Sequence, residues 1–445
     1  MASINRTARR LVRRLPPYRV YRRANWLLMR VPGANLVRVP AKTATWATKA
    51  FIRSRRPRED GAPAVRPTFA LGAQVAIDEA VLELMMRPSK FPTTDDYLRV
   101  GREVAAAAEQ WAREGWSADA TGYHRDPPPL TDHDLAIGRG RWLRSRFEHL
   151  SWESGFAPRP DEPGATQWSA YPAPHTAHAF VWRHTDRDRP WLVCLHGFGM
   201  GFVAADHQAF RLDHLHRRLG LNIAVPVMPL HGLRREPGVP DLLSYDLLGT
   251  VHGITQSVWD IRRLLAWIRA RTDQPVGAYG ISLGGYTGAL VATLEDLDLI
   301  IAGIPAVDFP GLFRHHAPHR TERAANRHGV LGDAATIAHR VISPVAAPVR
   351  VPRDRRFIYA GLGDRMVPPP QARLLWVHWD RPEIAWYPGN HVGFMWSGRV
   401  RRFVDDSLVS AGFVDPEQLD SGAQARDPVG GADRPGPAHE LVGGR

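Results

Sequence analysis

From about residue 177 to residue 410, short apolar runs alternate with longer segments of helical periodicity. Residues 177–182, 191–195, 223–227, 276–281, 297–304, 356–361 and 383–387 read as strands: short, apolar and bounded by turn-forming residues. The run at 191–195, Trp-Leu-Val-Cys-Leu, has no polar position, as a strand covered on both faces should be. Residues 146–152 alternate instead, the pattern of a half-buried strand. Between the strands, the segment 250–271 puts Ile254, Val258, Ile261, Leu265 and Ile268 on one helical face. Helices are also expected over 205–219, directly after 281, after Pro368 and up to about 410. This alternation predicts an α/β fold: a mostly parallel sheet with helices on both faces.

The alternation fails in two places. Residues 310–343 read as two short polar helices inserted between two strands, a small helical cap over the end of the sheet. Before residue 140 there is a helical N-terminal extension with no motif of its own. In it, Ile77, Val81, Leu82, Leu84 and Met85 mark an apolar helix, and an Ala-rich helix runs from 95 to 114 behind a Thr-Thr-Asp-Asp capping signal at 93–96. The expected organisation is a basic amphipathic arm at 1–60, a helical segment at 61–139, the α/β domain at 140–412 and a Gly-, Pro- and Asp-rich disordered tail at 413–445.

Charge sharpens the reading of the arm. The formal net charge is +13, yet residues 1–58 alone hold 16 Lys and Arg and no acid, leaving 42 basic against 45 acidic residues elsewhere. Basic residues interleaved with Trp26, Leu27, Leu28, Trp46, Phe51 and Ile52 suit an anionic membrane surface; a solvated, partly disordered arm whose helices pack on the body is an equal alternative, and nucleic acid the weaker competitor. No catalytic candidate lies in the arm, so its removal is expected to leave the chemistry nearly unchanged. No apolar run reaches the roughly 18 residues of a membrane-spanning helix, and no apolar stretch follows the first arginines as a secretory signal requires. The single cysteine, Cys194, sits in an apolar strand and reads as a core residue. Together these predict a cytoplasmic protein, peripheral at the inner membrane surface. His315, His316, His319 and His328 cluster in the cap without a carboxylate or cysteine at ligand spacing, so neither a metal site nor a cofactor is expected.

The candidate chemistry lies at Gly280-Ile281-Ser282-Leu283-Gly284, a Gly-x-Ser-x-Gly between a predicted strand and a predicted helix. Composition alone yields that pattern in roughly one such chain in eight, so its context has to carry it. Upstream, the strand at 191–195 runs into His196-Gly197-Phe198-Gly199-Met200-Gly201. A Gly-rich loop there can aim backbone N–H groups at a developing oxyanion; the candidate donors are Leu283 and Phe198, with Gly197 next, and His196 braces the loop. Downstream, Asp364 follows the strand at 356–361 and His391 follows the strand at 383–387, both at strand C-terminal ends where sites in such sheets collect. Asp308, after the preceding strand, is the rival acid, and Asp364 has a competing use as a helix cap.

With these motifs in the order Ser, Asp, His, the chain resembles the α/β-hydrolases of the serine esterase and lipase type over roughly residues 140–412. The resemblance implies an α/β-hydrolase fold and a catalytic triad of Ser282, Asp364 and His391, with an oxyanion hole of Leu283, Phe198 and Gly197. It also implies cleavage of carboxylic esters, small or lipid-like, through an acyl-enzyme. Acyl transfer on the same triad is an alternative, as is a non-catalytic membrane-associated binding protein on this fold.

Overall fold

The computed structural model describes residues 34–54, 63–85 and 92–419. Most of the expected arm and tail lie outside these residues. Nine strands form one sheet: β1 (Ala136–Trp142), β2 (Ser145–Glu153), β3 (Thr176–Trp182), β4 (Trp191–Leu195), β5 (Asn222–Val227), β6 (Val276–Ile281), β7 (Leu299–Gly303), β8 (Arg356–Gly361) and β9 (Glu383–Tyr387). Their spatial order is β1-β2-β3-β5-β4-β6-β7-β8-β9. The first three strands and the β3–β5 pair are antiparallel, and every pairing from β5 through β4 to β9 is parallel. The register β4–β6–β7 sets Leu195 beside Gly280 and Ile281 beside Gly303, so the chain leaves β4 and β6 at one end of the sheet.

Among the described residues the α-helices longer than one turn and a half are α1 (Val39–Ser54), α2 (Phe69–Met85), α3 (Thr94–Arg113), a short α4 (Val203–Ala209), α5 (Leu247–Arg269), α6 (Leu283–Val291), α7 (Phe309–His316), α8 (His319–Arg327), α9 (Asp333–His339), α10 (Pro369–His378) and α11 (Gly398–Ser410). One face of the sheet is covered by α3, α5, α6 and α10, around Trp111, Trp267, Leu264 and Leu375. The other is covered by residues 209–221 and α11, around Phe210, Leu215, Phe403 and Leu408. The fully apolar β4 and β6 are buried at every position, Cys194 included, because helices cover both their faces. Among the described residues no helix is long and apolar enough to cross a membrane.

The expected elements recur, with four differences. β1 adds an edge strand that begins at Ala136, inside the segment read as helical; its Gly138, Arg139, Gly140 and Arg141 supply no apolar alternation, and it pairs only with β2. The helix expected at 205–219 is broken: α4 stops at Ala209, Arg211 takes φ 55°, and a π-helical turn follows at His214–Arg218. That reversal buries Phe210, Leu212, Leu215 and Leu219 together. The core also extends beyond residue 412, since Phe413 and Val414 are buried in it.

Of the residues that mark α2 as an apolar helix, Ile77 and Leu84 are 44% and 45% exposed. The buried face is Leu71, Val75, Asp78, Glu79 and Glu83. These carboxylates are tolerated inside because each meets charged or N–H partners. α1 packs along α2, and Lys42 bridges Glu83 (2.7 Å) and Glu79 (3.3 Å), with Arg38 3.5 Å from Glu83. Part of the arm's charge is therefore satisfied inside the molecule. The fourth difference is the cap, which comprises three α-helices, α7 to α9, where two were expected, with α3 packed against α9.

Candidate active site

Ser282 stands between β6 and α6 with φ 57° and ψ −112°, a backbone conformation that L side chains rarely adopt. The sequence makes this turn possible by leaving out two side chains. A Cβ on Gly280 would overlap the Gly284 carbonyl, and a Cβ on Gly284 would overlap the Leu195 carbonyl at the end of β4. The strained turn is held by the Ser282 N–H donating to Gly303 O (2.8 Å) and by Tyr286 N–H donating to Ser282 O (3.0 Å). Ser282 is thus lifted to the sheet end with its side chain partly exposed.

The oxyanion-loop residues lie against this turn. A Cβ on Gly197 would stand 3.6 Å from Ser282 Cβ. The Met200 N–H donates to Gly197 O (3.2 Å) across a turn whose third residue, Gly199, has φ 76°. Phe198 is the second residue of that turn, and its N–H is not the one that closes it. Leu283 is the first residue of α6, where an N–H has no intrahelical acceptor. His196 joins the loop to β5: its Nε2 accepts from Met228 N–H (3.0 Å) and its Nδ1–H donates to Gly197 O (2.9 Å). Burial, then the neighbouring His231, push its pKa to about 3, so it stays neutral. Where the loop ends, an open cleft of about 560 Å³ begins, lined in part by Phe202, Leu233, Phe147 and Phe180.

His391 follows β9 and reaches both other candidates. Its Nε2 is 3.1 Å from Ser282 Oγ, and its Nδ1 is 2.7 Å from Asp364 Oδ2. A carboxylate can only accept, so Nδ1 carries the proton and Nε2 is left as the acceptor of the serine hydroxyl. Burial opposes charge on His391, but the charge of Asp364, its hydrogen bond and then the charge of Asp78 outweigh it and hold the pKa above the ordinary imidazole value. Asp364 Oδ2 faces His391, while its Oδ1 accepts from Val367 N–H (2.7 Å) in the turn before α10; it does not cap that helix, whose N-cap is Pro368 with no side-chain cap bond. Asp308, the rival acid, instead caps α7 by accepting from Gly311 N–H (3.0 Å). The cap approaches from the other side, with Phe309 stacked at 4.0 Å on Tyr286 and His316 bonded to Met366 O (2.8 Å).

One group at the site was not anticipated from the sequence. Asp78 of α2 is fully buried behind Asp364 and His391. Its Oδ2 accepts from Arg365 N–H and His391 N–H (both 2.9 Å), and its Oδ1 accepts from Asn390 Nδ2 (2.8 Å). Burial first, then the charge of Asp364, raise its pKa to about 6 against the opposing effects of His391 and the two N–H groups. The available signal was the run of carboxylates at 78, 79 and 83 inside an otherwise apolar helix.

No family model matches the chain. Two proteins of Mycobacterium tuberculosis, "Uncharacterized protein MT2702" and "Uncharacterized protein Rv2627c", are each 42% identical over 362 residues, covering 80% of this chain and 86% of the relative. Among solved structures, acetyl xylan esterase 1 of Thermoanaerobacterium sp. aligns over 62% of this chain and 87% of its own at 14% identity and a TM-score of 0.44. Esterase B of Lactobacillus rhamnosis aligns over 75% and 99% at 14% identity and TM-score 0.40. A puromycin-hydrolyzing peptidase of M. tuberculosis aligns over 63% and 46% at 17% identity and TM-score 0.37.

Proposed function

This chain belongs to the family of those two mycobacterial proteins and has the α/β-hydrolase fold, and from that premise we propose that it is a serine hydrolase cleaving carboxylic esters through an acyl-enzyme. The observation that carries the reading is the continuous line from Ser282 Oγ through His391 to Asp364, with the serine held at positive φ on the elbow. A serine hydroxyl is a weak nucleophile until a base removes its proton. In the proposed reaction Ser282 Oγ attacks the ester carbonyl and passes its proton to His391 Nε2. The Asp364 carboxylate stabilises the imidazolium so formed and fixes its tautomer. The Leu283 N–H, with that of Phe198 or Gly197, receives the oxyanion. His391 then protonates the departing alcohol, and water activated by the same histidine releases the acid.

The reading predicts that purified protein hydrolyses short-chain 4-nitrophenyl esters. Ser282→Ala should fold with unchanged circular dichroism and lose turnover by a factor on the order of 10⁶. A variant that keeps its activity would place the nucleophile elsewhere.

A further inference from the structure

We propose that Asp78 is a positioning residue for the His391–Asp364 pair, and that helix α2 is thereby a working part of the active site. The inference rests on the hydrolase reading and extends it outside the sheet. Asp364 and His391 stand on separate loops, after β8 and after β9, and the 2.7 Å bond between them requires those loops to keep a fixed relation. A single oxygen of Asp78 accepts from the backbone of both loops, at Arg365, next to the acid, and at His391 itself. The other oxygen takes Asn390 Nδ2, and Gln74, one turn earlier on α2, accepts from Asn390 N–H (3.3 Å). Displacing either loop breaks a bond to one buried carboxylate.

α2 is itself anchored to the acid loop. Arg365 Nε donates to Glu79 (2.7 Å), and Leu71 and Val75 pack where Gly363 has no side chain. Lys42 of α1 holds Glu79 and Glu83 from the opposite side. The charged and titratable groups around Asp78 are therefore Glu79 and Glu83 on its own helix, Arg38 and Lys42 from α1, Asp364 and Arg365 after β8, Tyr387 of β9 and His391 after it, and His315 and His316 of α7 near Arg365 and Glu79. The cost of keeping a carboxylate here shows in its pKa, raised to about 6 mainly by burial. When ionised it also favours the imidazolium form of His391, which develops during attack.

Two substitutions in the full-length chain separate geometry from charge. Asp78→Ala removes every bond and should lower kcat about 10²-fold by loosening the base, with KM changed by no more than about twofold. Asp78→Asn can keep the geometry. Its oxygen can accept from both N–H groups, and Asn390, whose Oδ1 is buried without a partner, can turn over to accept from the new amide. This variant should retain kcat at high pH within about tenfold, while the acid limb of its pH–rate profile moves to lower pH because a negative charge beside His391 is gone. Both are measured by 4-nitrophenyl ester hydrolysis between about pH 5 and 9, well below each variant's melting temperature. If Asp78→Ala does not fold, the limb of Asp78→Asn decides. Variants with wild-type kcat, KM and pH limb, whatever their melting temperatures, would overturn the inference alone. A wild-type chain that neither hydrolyses ester nor takes a fluorophosphonate on Ser282 would overturn the hydrolase reading and this inference with it.

Discussion

The two halves of the site are held by different physics. On the nucleophile side, Ser282 and the 196–201 loop are fixed by backbone: glycines that let carbonyls approach, strand register, and a neutral histidine bridging two strand ends. On the side of the proposed acid and base, Asp364 and His391 ride on loops whose backbones both donate to one carboxylate, Asp78, 313 residues before His391 in the chain. Backbone restraint tolerates no added atom, whereas a carboxylate restraint depends on protonation and on a helix remaining docked. The first half needs only its own segment and the neighbouring strands. The second also takes hydrogen bonds to the N-terminal extension.

The largest effect expected on the acid–base side is at the carboxylate that touches the imidazole. Asp364→Asn should lower turnover by a factor on the order of 10⁴, because an amide can leave the wrong tautomer at His391. Asp308→Asn, which alters only the cap of α7, should change it far less. Steady-state kinetics of the two variants side by side is the check, and a reversal of the two effects would put the acid after β7 instead of β8.

The same contrast governs what was legible in the sequence. The elbow, the Gly-rich loop and the acid and base loops could be read because each combines a short apolar strand with local turn chemistry, and no distant partner is needed to recognise them. β1 could not, since an edge strand with two glycines and two arginines carries no period-two pattern. The break at Arg211 was hidden because Phe210, Leu212, Leu215 and Leu219 also fit a helical stripe. Asp78, Glu79 and Glu83 are inside only because Arg365, Asn390, His391 and Lys42 meet them there, and nothing local in the sequence pairs those residues. Residues 1–60 include Lys42, which ion-pairs with Glu79 and Glu83 of α2.

A smaller effect tests the backbone-held half. Gly284→Ala places a methyl against the Leu195 carbonyl, where no flexible side chain can give way. Overpacking of this kind costs about 1–3 kcal/mol, so the variant should melt at lower temperature in a thermal scan and lose activity through the displaced elbow. Unchanged stability would mean that the close approach of β4 and α6 is not a constraint.

The central claim is that Ser282 is a nucleophile activated by His391. Its most direct test is the rate and position of covalent labelling by a fluorophosphonate, followed by peptide mass spectrometry as a function of pH. His391 must be neutral to accept the proton, and its pKa lies above the ordinary imidazole value. The account therefore predicts one adduct, on the peptide containing Ser282, formed at a rate that climbs with pH through a limb above about 6.5. An adduct on another residue, equal labelling of Ser282→Ala, or a rate flat between about pH 5 and 9 would contradict it.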